Sequence, residues 1–182
     1  QHKLVRVGLQ GRRVAAEDLP PSNLVFLIDV SGSMQDERKL PLVKSSLRVL
    51  ATQLTGRDRV AMVVYAGSSG LVLPSTPGDQ RGEILSAIDR LEAGGSTNGG
   101  AGLLLAYRVA QENFIRGGIK RVILATDGDF NVGVTGDGEL VRLVEEKRRG
   151  GVSLSVLGYG MGNLKDSRME ELADNGNGNY AY

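Results

Sequence analysis

LVFLIDVSGS, residues 24 to 33, opens with five apolar residues and then places an acid and two hydroxyls at alternate positions: Asp29, Ser31 and Ser33. A short run that is apolar on both faces reads as a fully buried strand of a parallel sheet covered on both sides. Side chains alternate along an extended chain, so the three polar residues can face the same way where the strand runs out. Gly32 frees the backbone to turn between the two serines. Taken alone, the stretch admits two readings. The serines could cap a following helix while Asp29 bonds local amides, or the three oxygens could converge on a cation.

Working outward, Val60 to Tyr65 (VAMVVY) and Arg121 to Thr126 (RVILAT) are further buried strands. Val152 to Leu157 alternates more, and Leu71 to Leu73 is a short edge candidate. Helical spacing links Leu40, Val43, Leu47, Leu50 and Leu54, then Ile84, Ile88 and Leu91, then Leu103, Tyr107, Ala110 and Phe114. Leu140 with Val144, and Met169 with Leu172, predict two more helices, the last stopped by Asn175-Gly176. Pro41 suits the first turn of its helix, and Asn179 to Tyr182 ends the chain as a strand. The order β, α, β, short β, α, α, β, α, β, α, β predicts a doubly wound (Rossmann-like) α/β domain. Its central sheet is expected to be mostly parallel, with helices on both faces and one short antiparallel edge strand.

Composition narrows the function classes. The 182 residues fit one domain, and 41% apolar content supports a sizeable core. Twenty-two Lys plus Arg against 21 Asp plus Glu, interspersed, give a charge of +1, so nucleic acid is not an expected partner. No apolar run approaches the length needed to cross a bilayer, so direct membrane insertion is not expected either. There is no Cys, which excludes disulfides, thiol catalysis and Cys-bound zinc, and the single His2 lies near the chain start. Imidazole chemistry and His-ligated metals lose their basis. Glycine is the outlier, at 26 of 182 residues against a usual share of roughly 7%, and the glycines gather in short segments between apolar runs. A start at Gln1, without an initiator Met or a secretory pattern, makes a piece of a longer chain the expectation.

A second acid shifts the balance between the two readings of the opening stretch. RVILAT runs into Asp127, followed by Gly128, Asp129, Phe130 and Asn131. In doubly wound sheets the ligand crevice lies beyond the carboxyl ends of the strands, where the winding reverses. If the two strands are neighbours there, Asp29 and Asp127 face each other, and two carboxylates at close range call for a cation or a shared proton. The segment Gly94-Gly95-Ser96-Thr97-Asn98-Gly99-Gly100 precedes a predicted helix. Thr97 can add a hydroxyl oxygen, or Ser96 or Thr97 can simply cap that helix. Asp29, Ser31, Ser33, Thr97 and Asp127 together offer oxygen only, the set for a hard divalent ion. Mg2+ is expected, with Mn2+ also fitting; Ca2+ would want more oxygens. With three neutral hydroxyls among the five ligands, such an ion keeps an appetite for an external anion.

DVSGS ending an apolar strand, a Gly-rich segment with a central Thr, and TDGDFN ending a later strand resemble the von Willebrand factor type A (VWA) domain with its metal-ion-dependent adhesion site. VFLIDVSGSM, ATDGDFNVG and NGNGNY look like bacterial members. The resemblance implies a VWA domain over residues 22–182, with residues 1–21 a leader that pairs with an edge or belongs to a neighbouring domain. It implies Asp29, Ser31 and Ser33 as the first ligand group, Thr97 as the loop threonine and Asp127 as the second acid, direct or through water. A partner protein would supply an Asp or Glu at the sixth vertex. An extracytoplasmic setting, within a longer exported or membrane-anchored protein, is implied as well.

Other chemistries fit less well. A calcium loop of the EF-hand type at 127–138 fails at Val132 and Gly138, and Asp129 reads as a loop-orienting group. Gly158 to Gly162 lacks the last glycine of a dinucleotide fingerprint and reads as a turn. A haloacid-dehalogenase-like phosphotransferase would use Asp29 as nucleophile, but it needs a second Asp where Ser31 stands. A metal-free scaffold would leave the repulsion of paired acids to hydrogen bonds alone. The expectation is a non-enzymatic, metal-dependent protein-binding module.

Overall fold

The computed structural model describes residues 18–95, 99–128, 130, 137–160 and 166–182. Its strands are β1 (Ser22–Asp29), β2 (Arg59–Tyr65), β3 (Ser69–Pro77), β4 (Ile119–Thr126), β5 (Ser153–Gly158) and β6 (Tyr180–Ala181). The helices are α1 (Leu40–Gln53), α2 (Arg81–Asp89), α3 (Gly99–Glu112), α4 (Asp137–Arg149) and α5 (Asp166–Asn175). A 3-10 turn, Gly32–Gln35, which periodicity does not reveal, follows β1. The strands form one sheet in the order β3-β2-β1-β4-β5-β6, with only the β2–β3 pair antiparallel.

Alternation along the strands divides the core into two layers. Val25, Leu27, Val63, Tyr65, Leu124, Leu154 and Val156 pack on one face with residues of α3, α4 and α5. Phe26, Ile28, Met62 and Leu73 pack on the other with α1 and α2. Leu40, Val43, Leu47 and Ala51 form the buried stripe of α1, and Pro41 falls in its first turn.

Most boundaries shift by a residue or two, and two starts or lengths differ more from the sequence expectation, each for a physical reason. β3 has nine residues rather than three, because an edge strand tolerates Pro74, Pro77 and polar residues on its open side. α3 begins at Gly99, inside the Gly-rich segment, although glycine is a poor helix former. Close packing explains it. A Cβ on Gly99 would lie 2.5 Å from the Phe130 ring, and one on Gly102 would lie 2.9 Å from Cβ of Tyr65.

The order places the winding reversal between β1 and β4, whose register pairs Ile28 with Ala125. Asp29 and Asp127 therefore leave adjacent parallel strands at the crevice where the chain turns in opposite directions.

Candidate metal centre

Asp29 ends a central strand and is fully buried, so its carboxylate needs partners. Its Oδ1 accepts the Ser31 amide at 2.8 Å, and its Oδ2 accepts the Tyr65 hydroxyl at 3.1 Å and, more loosely, that of Thr126 at 3.4 Å. A carboxylate has about four acceptor positions; these three donors fill most of them, and the Ser31 side chain also lowers the Asp29 pKa by hydrogen bonding. Burial pushes the Asp29 pKa up, the hydrogen bonds from Ser31 and Tyr65 pull it back, and the negative charge of Asp127 raises it again. The net direction is upward. Burial first, then the neighbouring Asp29 charge, lifts the Tyr65 phenol well above its ordinary range, which keeps it a donor.

The serines do not cap. Ser31 precedes the 3-10 turn without a side-chain capping bond, and the residue before α1 is Lys39. The two hydroxyls instead share a hydrogen bond at 3.0 Å, Ser31 buried and Ser33 exposed. That separation has chemical meaning. Octahedral ligands at about 2.0–2.1 Å from an ion stand roughly 2.8–3.0 Å from their neighbours, so the two oxygens are spaced as adjacent vertices. Half of the structural reading of this stretch does hold, since Asp29 bonds the local amide of Ser31.

Asp127 is 7% exposed and close enough to raise the Asp29 pKa. It accepts the Lys39 ammonium at 2.8 Å, and the same ammonium donates to the Ser33 carbonyl at 3.0 Å. Among the described residues, no three His, Cys, Asp or Glu side chains gather. A cation at this crevice would therefore find two carboxylates and hydroxyl oxygens, the donor set of a hard divalent ion.

The described start of the Gly-rich segment, Gly94 and Gly95, reaches the crevice. The Gly94 amide donates to the Val30 carbonyl at 2.7 Å, and the Gly32 amide donates to the Gly95 carbonyl at 3.1 Å. Gly95 has φ +85°, a conformation glycine adopts without strain. Thr97, two residues on, lies outside the described residues, as does Asp129.

A family model, the von Willebrand factor type A domain, matches residues 23–182. The chain belongs to the von Willebrand factor type A domain family. Domains of this family are generally protein-interaction modules. The uncharacterised protein YfbK of Escherichia coli K12 is 50% identical over 182 residues, all of this chain and 32% of that protein. The chain thus spans about a third of that relative. Among solved structures, the fold is similar to a von Willebrand factor type A protein from Catenulispora acidiphila (TM-score 0.73, 24% identity, covering 90% of this chain and 38% of that one). It is also similar to an aerotolerance-related membrane protein from Bacteroides fragilis, solved with multiple mutations to serine (TM-score 0.70, 22% identity, covering 88% and 90%).

In this VWA domain several residues at the crevice escape motif reading. Tyr65 reads as the apolar end of β2, yet the register that pairs it with Asp29 aims its hydroxyl at the carboxylate. Thr126 also accepts the Gly128 amide at 3.2 Å, tying the loop that carries Asp127 to Asp29. Phe130 meets Tyr65 edge to face at 5.4 Å and fills the hollow over Gly99. Lys39 carries only the signal of one of two adjacent cations, Arg38 and Lys39, ahead of a helix.

Proposed function

We propose that this VWA domain is a metal-dependent protein-binding module, in which a divalent cation held by Asp29, Ser31, Ser33, Thr97 and Asp127 engages an acidic residue of a partner. Mg2+ is the ion proposed, with Mn2+ a close substitute. The observation that carries the reading is the 3.0 Å spacing of the Ser31 and Ser33 hydroxyls beside a buried carboxylate at the winding reversal. The same spacing suits the hydrogen bond that joins the two hydroxyls, so the reading leans equally on Asp127, whose charge stands close enough to raise the Asp29 pKa.

Each residue has a task in this reading. Tyr65 and Thr126 orient Asp29 from below, as outer partners do for metal-bound carboxylates. Asp29 and Asp127 supply negative charge, and the hydroxyls supply neutral oxygen. A bound divalent ion would serve there as a Lewis acid for an incoming carboxylate. The rim loops around it would choose the partner. The reading is non-enzymatic, because Ser31 is a poor general acid in the place where phosphoryl transfer to Asp29 would need one to protonate the leaving group.

An extracytoplasmic setting within a longer exported or membrane-anchored protein is part of the proposal. It is supported by the fold's likeness to the Bacteroides fragilis membrane protein and by the 32% share of the Escherichia coli relative. No helix of the described residues is long and apolar enough to cross a membrane.

The test is a calorimetric titration with MgCl2, followed by acetate and an Asp-containing peptide added to the Mn2+-loaded protein. Magnesium heat that disappears in Asp29→Ala, and displacement of Mn2+-bound water by carboxylate, would support the reading. Absence of either overturns it.

A further inference from the structure

Lys39 is placed as if built for the crevice. Its amide donates to the Asp36 carbonyl and its carbonyl accepts the Val43 amide, each at 2.9 Å, so its backbone is fixed at the entrance to α1. Its stem lies on Gly160, the turn glycine after β5, which has φ +97°. A Cβ at that position would stand 2.7 Å from Cε of Lys39. The Gly160 carbonyl in turn accepts the hydroxyl of Tyr182, just beyond β6. At its far end the ammonium bridges Asp127 and the Ser33 carbonyl, joining the two loops that carry the proposed ligands.

We propose that Lys39 is a built-in competitor of the metal: its ammonium neutralises Asp127 when no divalent ion is bound and must leave that carboxylate before a metal can use it. The inference rests on the metal-binding reading above and adds a control on that site. Like charges at close range repel, so an ammonium and a divalent ion do not share Asp127 comfortably. A route out exists, because the Lys39 side chain is 20% exposed. The bed of Gly160, held by Tyr182, links the choice between the two cations to the edge of the sheet at β6. A partner or neighbouring segment that moved the turn after β5 would then change metal affinity without touching a ligand.

The loss of one positive charge can be separated from the loss of this contact. Lys44 lies on α1, the helix that Lys39 precedes, and donates instead to the carbonyls of Asp89 and Leu91. The experiment is MgCl2 calorimetry on wild type, Lys39→Met and Lys44→Met, with thermal unfolding of each in chelator and in saturating Mg2+. Exposed ion pairs change affinities less than about fivefold, and this pair is more sheltered. Lys39→Met is expected to bind Mg2+ about tenfold tighter, while Lys44→Met stays within about twofold of wild type. In chelator Lys39→Met should melt below wild type, and Mg2+ should close the gap. If wild type binds Mg2+ and Lys39→Met binds equally or more weakly, the competitor role falls and the metal reading stands. If neither binds, both fall together. Should Lys39→Met not fold, Lys39→Gln removes the charge while keeping a polar end, and the same criteria apply to it.

Discussion

Replacing Asp29 with Asn should separate the stability of the domain from its metal chemistry. The change removes a charge that is fully buried and whose pKa is raised mainly by that burial. The asparagine carbonyl can still accept the Ser31 amide, and the hydroxyls of Tyr65 and Thr126 can rotate to accept from the side-chain amide. Replacing a buried charge by a neutral group whose hydrogen bonds stay satisfied removes the desolvation penalty of the ion. In chelator at pH 7, Asp29→Asn should therefore be at least as stable as wild type. Mg2+ at a hundred times its Kd stabilises the form that binds it by about 2.7 kcal/mol. For a chain of this size that is a rise of roughly 5–11 °C in Tm, seen in wild type and lost in Asp29→Asn. An upward-shifted acid holds its proton more firmly in the folded protein. Its contribution is complete below the ordinary value of 3.8 and fades as pH climbs through the raised one. Wild type in chelator should lose stability over that rise, and Asp29→Asn should lack the loss. Urea unfolding against pH, with and without Mg2+, reads both effects. A variant several kcal/mol weaker in chelator, or one that keeps the Mg2+ shift, refutes the reasoning.

Ser33→Ala removes an exposed hydroxyl, so unfolding in chelator should change by no more than about 0.5 kcal/mol. Mg2+ affinity should fall at least about tenfold, since even outer partners of a metal are worth that much; calorimetry decides. Gly178→Ala would drive a Cβ into the Leu154 carbonyl. A loss of about 1–3 kcal/mol or more in urea unfolding is expected, with Mg2+ binding intact in the folded fraction. Burial raises the Asp58 pKa, but hydrogen bonds from Thr55 and Ser22 and the Arg57 charge outweigh it and hold the group below 3.8. Its contribution is present above that value and lost as pH falls through the lowered one. Asp58→Asn should cost under about 1 kcal/mol at pH 7 after solvent screening, with the difference vanishing in acid unfolding.

The strands were legible because β1, β2 and β4 are apolar on both faces, and that forces a covered parallel sheet. The alternation of elements then makes Asp29 and Asp127 candidates for one crevice on the condition that β1 and β4 are neighbours, which the sheet order supplies. The limits of β3 were not legible, because its ends are polar and its pairing with β2 shifts register. The start of α3 was hidden by glycines whose reason lies in the Phe130 and Tyr65 rings above them. The same holds at the site: Asp29, Ser31 and Ser33 announce themselves by alternation, whereas Tyr65 and Lys39 arrive through sheet register and a helix entrance. Local spacing records what one segment presents. It does not record which neighbour's hydroxyl or ammonium meets it.

The most direct test is anomalous diffraction from crystals grown with Mn2+. The account predicts a peak within bonding distance of both the Ser31 and Ser33 hydroxyls, next to Asp29, with the Lys39 ammonium withdrawn from Asp127. A crevice without a peak, its serines still bonded to each other and Lys39 still on Asp127, would contradict it.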